Sequence, residues 1–234
     1  MWPSEAEGLI AYQHELATAS PPEWHPRGVL RTGGCWVCFT RGLTGPGAAG
    51  DRAWATAVTM TGEDTVAATV IEGEAGAAYQ PGLLALRLGP VLEEAGTALA
   101  IRPDVLLVDA TARDHPRRAG LALHLGSVLE IPTIGVTHRP LIARGPWPDD
   151  RRGAVGPLTM DGEVVAAWVR TRANTRPLVV HPGWRVDLDT AVDLAMAATE
   201  RRRTPEPLRR ARHSARIRRA ASERRTISDD SRGA

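Results

Sequence analysis

The stretch Ile101 to Pro140, IRPDVLLVDATARDHPRRAGLALHLGSVLEIPTIGVTHRP, decides the fold. It opens on VLLVDA, a continuous apolar run ending in an acid, the pattern of a strand buried on both faces. Pro116 predicts a helix over Arg117–Glu130, because its fixed φ and missing N–H suit a first helical turn. Pro132–Val136 predicts a second short buried strand, and from Pro140 the chain reads as loop. Working upstream, residues 34–40, 52–61 and 64–72 alternate or run apolar between the turn-rich segments GLTGPGAAG and TGED, which predicts an antiparallel meander. Pro81-Gly82 precedes a predicted helix, Leu83–Ala100. An amphipathic helix is expected over residues 5–19, with Leu9, Tyr12 and Leu16 on one face, followed by a Pro-rich connector over 20–31. Downstream, residues 163–170 and 177–181 read as strands and Asp187–Glu200 as a helix with Asp189 in its first turn. The expected fold is α/β: a mixed sheet, an antiparallel meander then parallel strands, with helices on both faces.

In such a sheet an acid closing a central strand stands where ligands bind. Asp109 is that acid, and an ordinary strand-end aspartate is the competing reading. Arg117 and Arg118, at the start of the predicted helix, oppose the dipole preference for acids there and so point to a phosphate. A solvated face is the alternative.

Composition limits the chemistry further. The chain has 234 residues, 43% hydrophobic, enough for one domain with a core. No apolar run is long enough to cross a membrane, and the N-terminus lacks a basic region followed by an apolar stretch, so a cytoplasmic location is expected. Lys and Arg total 29 and the chain contains no lysine, which excludes lysine-dependent chemistry. The net charge of +2 conceals an asymmetry. Residues 201–234 hold twelve arginines against four acids, a balance of +8, and residues 1–200 a balance of −6. Two units are therefore expected: a domain over 1–205, and an Arg-rich tail over 206–234, partly disordered. The tail either binds polyanions through counterion release or is solvated without a fixed partner. Cys35 and Cys38 form a lone C-x-x-C inside an expected strand, where i and i+3 face opposite ways, so a redox pair is disfavoured.

The quoted stretch also resembles the endonuclease V family, the deoxyinosine-directed 3′ endonucleases of ribonuclease-H-like fold. VD, HPRR, Gly120, Ala122, His124, Gly126 and PTIGV stand where the family motif has them. Tyr79-Gln80-Pro81-Gly82-Leu83 looks like the family's PYIPGFL element. Gly162-Glu163, Ala167-Trp168-Val169, Pro182-Gly183-Trp184-Arg185-Val186 and Thr204-Pro205-Glu206-Pro207 are similar to its later segments. The resemblance runs over about residues 5–210. It implies recognition of hypoxanthine in DNA or RNA, cleavage of the second phosphodiester bond on its 3′ side, Mg²⁺ held by carboxylates, and a tyrosine wedge at Tyr79. It also implies Asp109 as catalytic residue and metal ligand, and Tyr79, His115, Arg117, Arg118 and His138 as nucleic-acid contacts.

The departures fall on the chemistry. By this matching, Cys35 replaces the first metal aspartate, Leu88 the glutamate that follows the F-R pair, Trp184 a late histidine and His138 a lysine. Ala110, Thr111 and Ala112 replace the G-H-G that follows the strand aspartate. Of the motif's acids only Asp109 remains. Two Mg²⁺ ions about 4 Å apart repel by roughly 17 kcal/mol at an effective dielectric of about 20. One aspartate and a phosphate offset that poorly, and a thiolate suits softer metals. The expectation is a nucleic-acid-binding protein of weak or absent catalysis. The alternatives are an active inosine-directed nuclease with a reduced metal site, one ion held by Asp109, water and phosphate oxygens, and an interaction module that no longer binds nucleic acid; separately, Cys35, Asp109 and His138 on neighbouring strands form a mixed set that could hold a transition metal. Trp184 would plug the former pocket or offer a base a stacking face.

Overall fold

The computed structural model describes residues 2–200 and 202–230, and the side chains of these as far as residue 225. Arg201 and Arg232 of the Arg-rich tail lie outside the described residues.

The chain builds one eight-stranded mixed sheet. In chain order the elements are α1 (Ala6–Thr18), β1 (Arg31–Phe39), β2 (Arg52–Thr61), β3 (Asp64–Glu74), α2 (Leu84–Thr97), β4 (Val105–Val108), α3 (Leu121–Leu129), β5 (Thr133–Thr137), β6 (Val155–Met160), β7 (Glu163–Val169), β8 (Leu178–Pro182), α4 (Leu188–Ala197) and α5 (Glu206–Asp230). The strand order is β3-β2-β1-β4-β5-β8-β7-β6. β1 to β3 form the expected antiparallel meander, and β1, β4 and β5 run parallel. β8, β7 and β6 then extend the sheet antiparallel from β5. β6 escaped sequence reading because Gly156 and Pro157 interrupt its pattern. No helix of the described residues is long and apolar enough to cross a membrane.

The central strands are apolar throughout because both of their faces are covered. On one face α1, α2 and α3 pack with Cys35, Ala55, Ala57, Leu106 and Val108. On the other, Val105, Leu107, Ile134 and Val136 meet Ala191 and Ala195 of α4 and Leu208 of α5. The strand alternation is clean in β1: Cys35 points to the α1–α3 side, whereas Cys38, with Trp36 beside it, packs against Trp54 and Ala215 of α5. Both thiols are free and buried.

Two expectations change here. The Arg-rich segment expected to be partly disordered is helical over Glu206–Asp230, and Leu208, Ala211 and Ala215 are buried. It packs along β1 and β2 as part of the fold rather than trailing from it. Arginine dominated the composition, but the buried residues recur at steps of three and four, which puts one apolar stripe on the sheet. The helix expected from Arg117 begins only at Leu121, capped by Gly120. Arg118 has a left-handed backbone, φ 56°, which no helix start accepts.

The seating of α5 depends on one glycine. A Cβ added at Gly34 of β1 would overlap the carbonyl carbon of Pro207. Gly34→Ala must therefore push the start of α5 off the sheet. The expected loss is about 1–3 kcal/mol or more, read as a lowered urea midpoint. A midpoint equal to the parent's would show that α5 does not need this contact.

Candidate functional site

Asp109 follows β4, the strand held between β1 and β5. The register places Cys35 of β1 beside Val108, and Gly135 of β5 on its other side. The strand ends therefore converge on Asp109 from β1 and β5, and α5 lies across them. A shallow depression of about 20 Å³ forms there, lined by Trp36, Asp109, Thr137, His138, Leu208 and Arg212, among others.

Trp36 Nε1 donates a hydrogen bond of 2.8 Å to Asp109 Oδ2. The Arg216 guanidinium lies over the Trp36 ring, 5.3 Å from its centroid, as a cation–π contact. Asp109 is exposed at the strand end, yet the protein packed around its carboxyl raises its pKa, and the Trp36 bond and the Arg212 charge oppose the shift. Burial and then the Arg203 charge lower the pKa of His138, and Asp109 pulls the other way. Arg203 Nη1 lies 3.1 Å from His138 Nδ1. The guanidinium has only N–H groups to offer, so Nδ1 accepts and the ring is neutral with its proton on Nε2. Asp114, fully buried, receives the backbone N–H groups of Leu141, Ile142 and Ala143 at 2.6, 2.9 and 2.8 Å and so pins the loop that follows His138.

This set does not fit Mg²⁺. The ion takes hard oxygen ligands in an octahedron. Here one carboxylate stands with an indole N–H on one oxygen and the Arg212 guanidinium nearby. Among the described residues no three His, Cys, Asp or Glu side chains gather to hold a metal. The mixed Cys35, Asp109 and His138 set is not assembled either. Cys35 faces the α1–α3 core, where burial pushes its thiol pKa up and keeps it protonated.

The other sequence-predicted residues fall in three places. Leu88 packs against the α1–α3 core. Trp184 is remote from Asp109: it bonds Thr133, the first residue of β5, whereas His138 follows the last, roughly 15 Å further along the strand. It fills space beside Gly126 of α3 and plugs no pocket at Asp109. Tyr79 is exposed, with its backbone N–H bonded to the Gly47 carbonyl. His115 and Arg117 anchor its loop. Arg117 Nη2 donates to the Gly82 carbonyl at 2.7 Å and Arg117 Nε to Gln13 Oε1, while His115 Nε2 lies 3.1 Å from the same carbonyl. Burial lowers the His115 pKa to about 4. Arg118 pairs with Glu163 and Asp161, 2.6 and 3.2 Å away in the β6–β7 hairpin. His124 is buried, stacked on Trp2 and against Tyr12, and it belongs to the core.

Sequence reading missed Trp36 and Arg212. Alternation along β1 carried the signal for Trp36: whichever residue faces Asp109, its neighbour cannot, and Cys35 faces the core. Arg212 was concealed among twelve tail arginines, and only the helical phase of α5 singles it out.

The raised Asp109 pKa has a consequence for stability. A carboxyl whose folded pKa lies above its unfolded value favours folding while protonated, and that contribution is lost as pH rises through the folded pKa. Asp109→Asn removes the ionisation. It is expected to melt above the parent at pH 7, with the gap closing as the pH falls below the ordinary carboxylate range. A variant less stable than the parent at both pH extremes would contradict this.

Comparison with known proteins gives a consistent picture. A family model described as Endonuclease V matches residues 42–213. The endonuclease V of Gloeobacter violaceus is 34% identical over 229 residues, 95% of this chain and 89% of its own. That of Methanopyrus kandleri is 46% identical over 140 residues, 60% of either chain. This chain likewise spans about three-fifths of the length of several other relatives. The crystal structure of endonuclease V from Streptomyces avermitilis, 34% identical, superposes with a TM-score of 0.82 over 95% of both chains. The ribonuclease-H-like sheet and the matched segments agree: the chain belongs to the endonuclease V family.

Proposed function

We propose that this protein binds nucleic acid, DNA or RNA carrying inosine, and that it cleaves phosphodiester bonds weakly or not at all. The observation that carries this reading is the state of Asp109: a lone carboxylate capped by the Trp36 indole and faced by Arg212. Binding is supported by parts that remain. Tyr79 is exposed on a loop held by Arg117, His115 and Gln13, so a ring presented there keeps its position without the bound strand. Arg216 and Arg212 lie on the face of α5 that borders Asp109. Hydrolysis is a different matter. Mg²⁺, which the family resemblance implies, would supply an activated water and charge neutralisation at the leaving oxygen, and the donor set here does not match its needs. His115 and Arg117 act as positioning residues in this reading, and Arg118 as a structural tie to the β6–β7 hairpin.

End-labelled DNA and RNA with a single inosine, incubated with Mg²⁺ or Mn²⁺, test both halves. The expected result is retention that weakens steeply with salt, without a product band 3′ of the inosine. Tyr79→Ala is expected to weaken retention several-fold. Cleavage that disappears in Asp109→Ala would overturn the catalytic half, and absence of retention would overturn the binding half.

A further inference from the structure

The mismatch with Mg²⁺ leaves a specific arrangement in its place. Three cationic or N–H-bearing groups border the Asp109 depression. Arg212 lines it and acts electrostatically on both Asp109 and His138. His138 lines it as well, and its Nδ1 is occupied by Arg203, which leaves Nε2–H as a donor. Arg216 lies over the ring of Trp36. No carboxylate within salt-bridge distance of Arg212 or Arg216 occurs among the described residues, whereas Arg209, Arg210, Arg218 and Arg219 on the same helix each have one. Arg212, which lines the depression, and Arg216, which lies over Trp36, are thus not committed to an ion pair among the described residues. They lie four residues apart, on one face of the helix.

We infer that Arg212 takes over the charge-neutralising part that a metal ion would play here, so that a nucleic-acid phosphate docks on Arg212 and His138 without any metal. This rests on the nucleic-acid reading given above and names the group that carries it. A guanidinium suits this role because it is always charged and its planar fork matches two phosphate oxygens. Trp36, bonded to Asp109 and covered by the Arg216 guanidinium, holds that second arginine beside the phosphate position. The indole N–H and Arg212 also offset the Asp109 charge, which would otherwise repel the strand. A guanidinium cannot generate a hydroxide nucleophile as a bound metal does, so docking of this kind brings no hydrolysis.

The test is fluorescence anisotropy of the full chain with a labelled single-stranded inosine-containing oligonucleotide, titrated in EDTA and again in Mg²⁺. Equal affinity in the two buffers is expected. Arg212→Gln is expected to weaken binding roughly tenfold in both, with the log–log salt slope reduced by about one. Arg212→Lys should recover part of the loss. Binding that collapses in EDTA overturns the inference while leaving the nucleic-acid reading intact, and so does an Arg212→Gln protein that binds as the parent does. Retention in neither buffer overturns both. Should Arg212→Gln fail to fold by circular dichroism, the EDTA comparison on the parent still decides.

Discussion

The close approach of α5 to β1 at Gly34 governs the arrangement of the molecule. Backbone meets backbone there, since any side chain on Gly34 would occupy the position of Pro207. That approach sets the height of α5 above the sheet and, through the helical phase, what it delivers to each strand end. Leu208 and Ala211 bury against the sheet, Ala215 reaches Trp54 and Cys38, and Arg212 is carried to the edge beside Asp109. The most basic segment of the chain is therefore held by its smallest and least polar residues.

Much of this architecture was legible in the sequence because burial on two faces leaves a strong signal. VLLV and PTIGV read as buried strands, and the turn-rich breaks between β1, β2 and β3 read as hairpins. The helix at Arg117 did not materialise. Pro116 is compatible with a first turn but does not impose one, and the segment instead spends its polar groups on anchoring: His115 and Arg117 on Gly82, Arg118 on the β6–β7 hairpin. Those contacts join residues 33 to 45 positions apart, and no local pattern encodes them.

The site was legible in its anchor and not in its surroundings. Asp109 was found from its place at the end of a buried strand. Its partners were not, because a substitution at one position hides which residue now fills the space. Along β1, a shift of a single residue exchanges the core face for the α5 face. Cys35, the residue expected opposite Asp109, is a core thiol, and Trp36 makes the contact. Trp184 shows the same effect at larger scale: a conspicuous aromatic in a matching motif, yet placed at the far end of β5.

The pairing of Trp36 with Asp109 also couples two positions on different elements, Trp36 of β1 and Arg212 of α5. An acid in place of Trp36 alone would set a second carboxylate beside a guanidinium that is already there, and the new charge would pair with Arg212. Removing Arg212 alone would leave one carboxylate still capped by an indole. Neither single change gathers a cluster of carboxylates at Asp109. Trp36 and Arg212 thus act as a coupled pair: a change at either one leaves the other's hold on the surroundings of Asp109 in place.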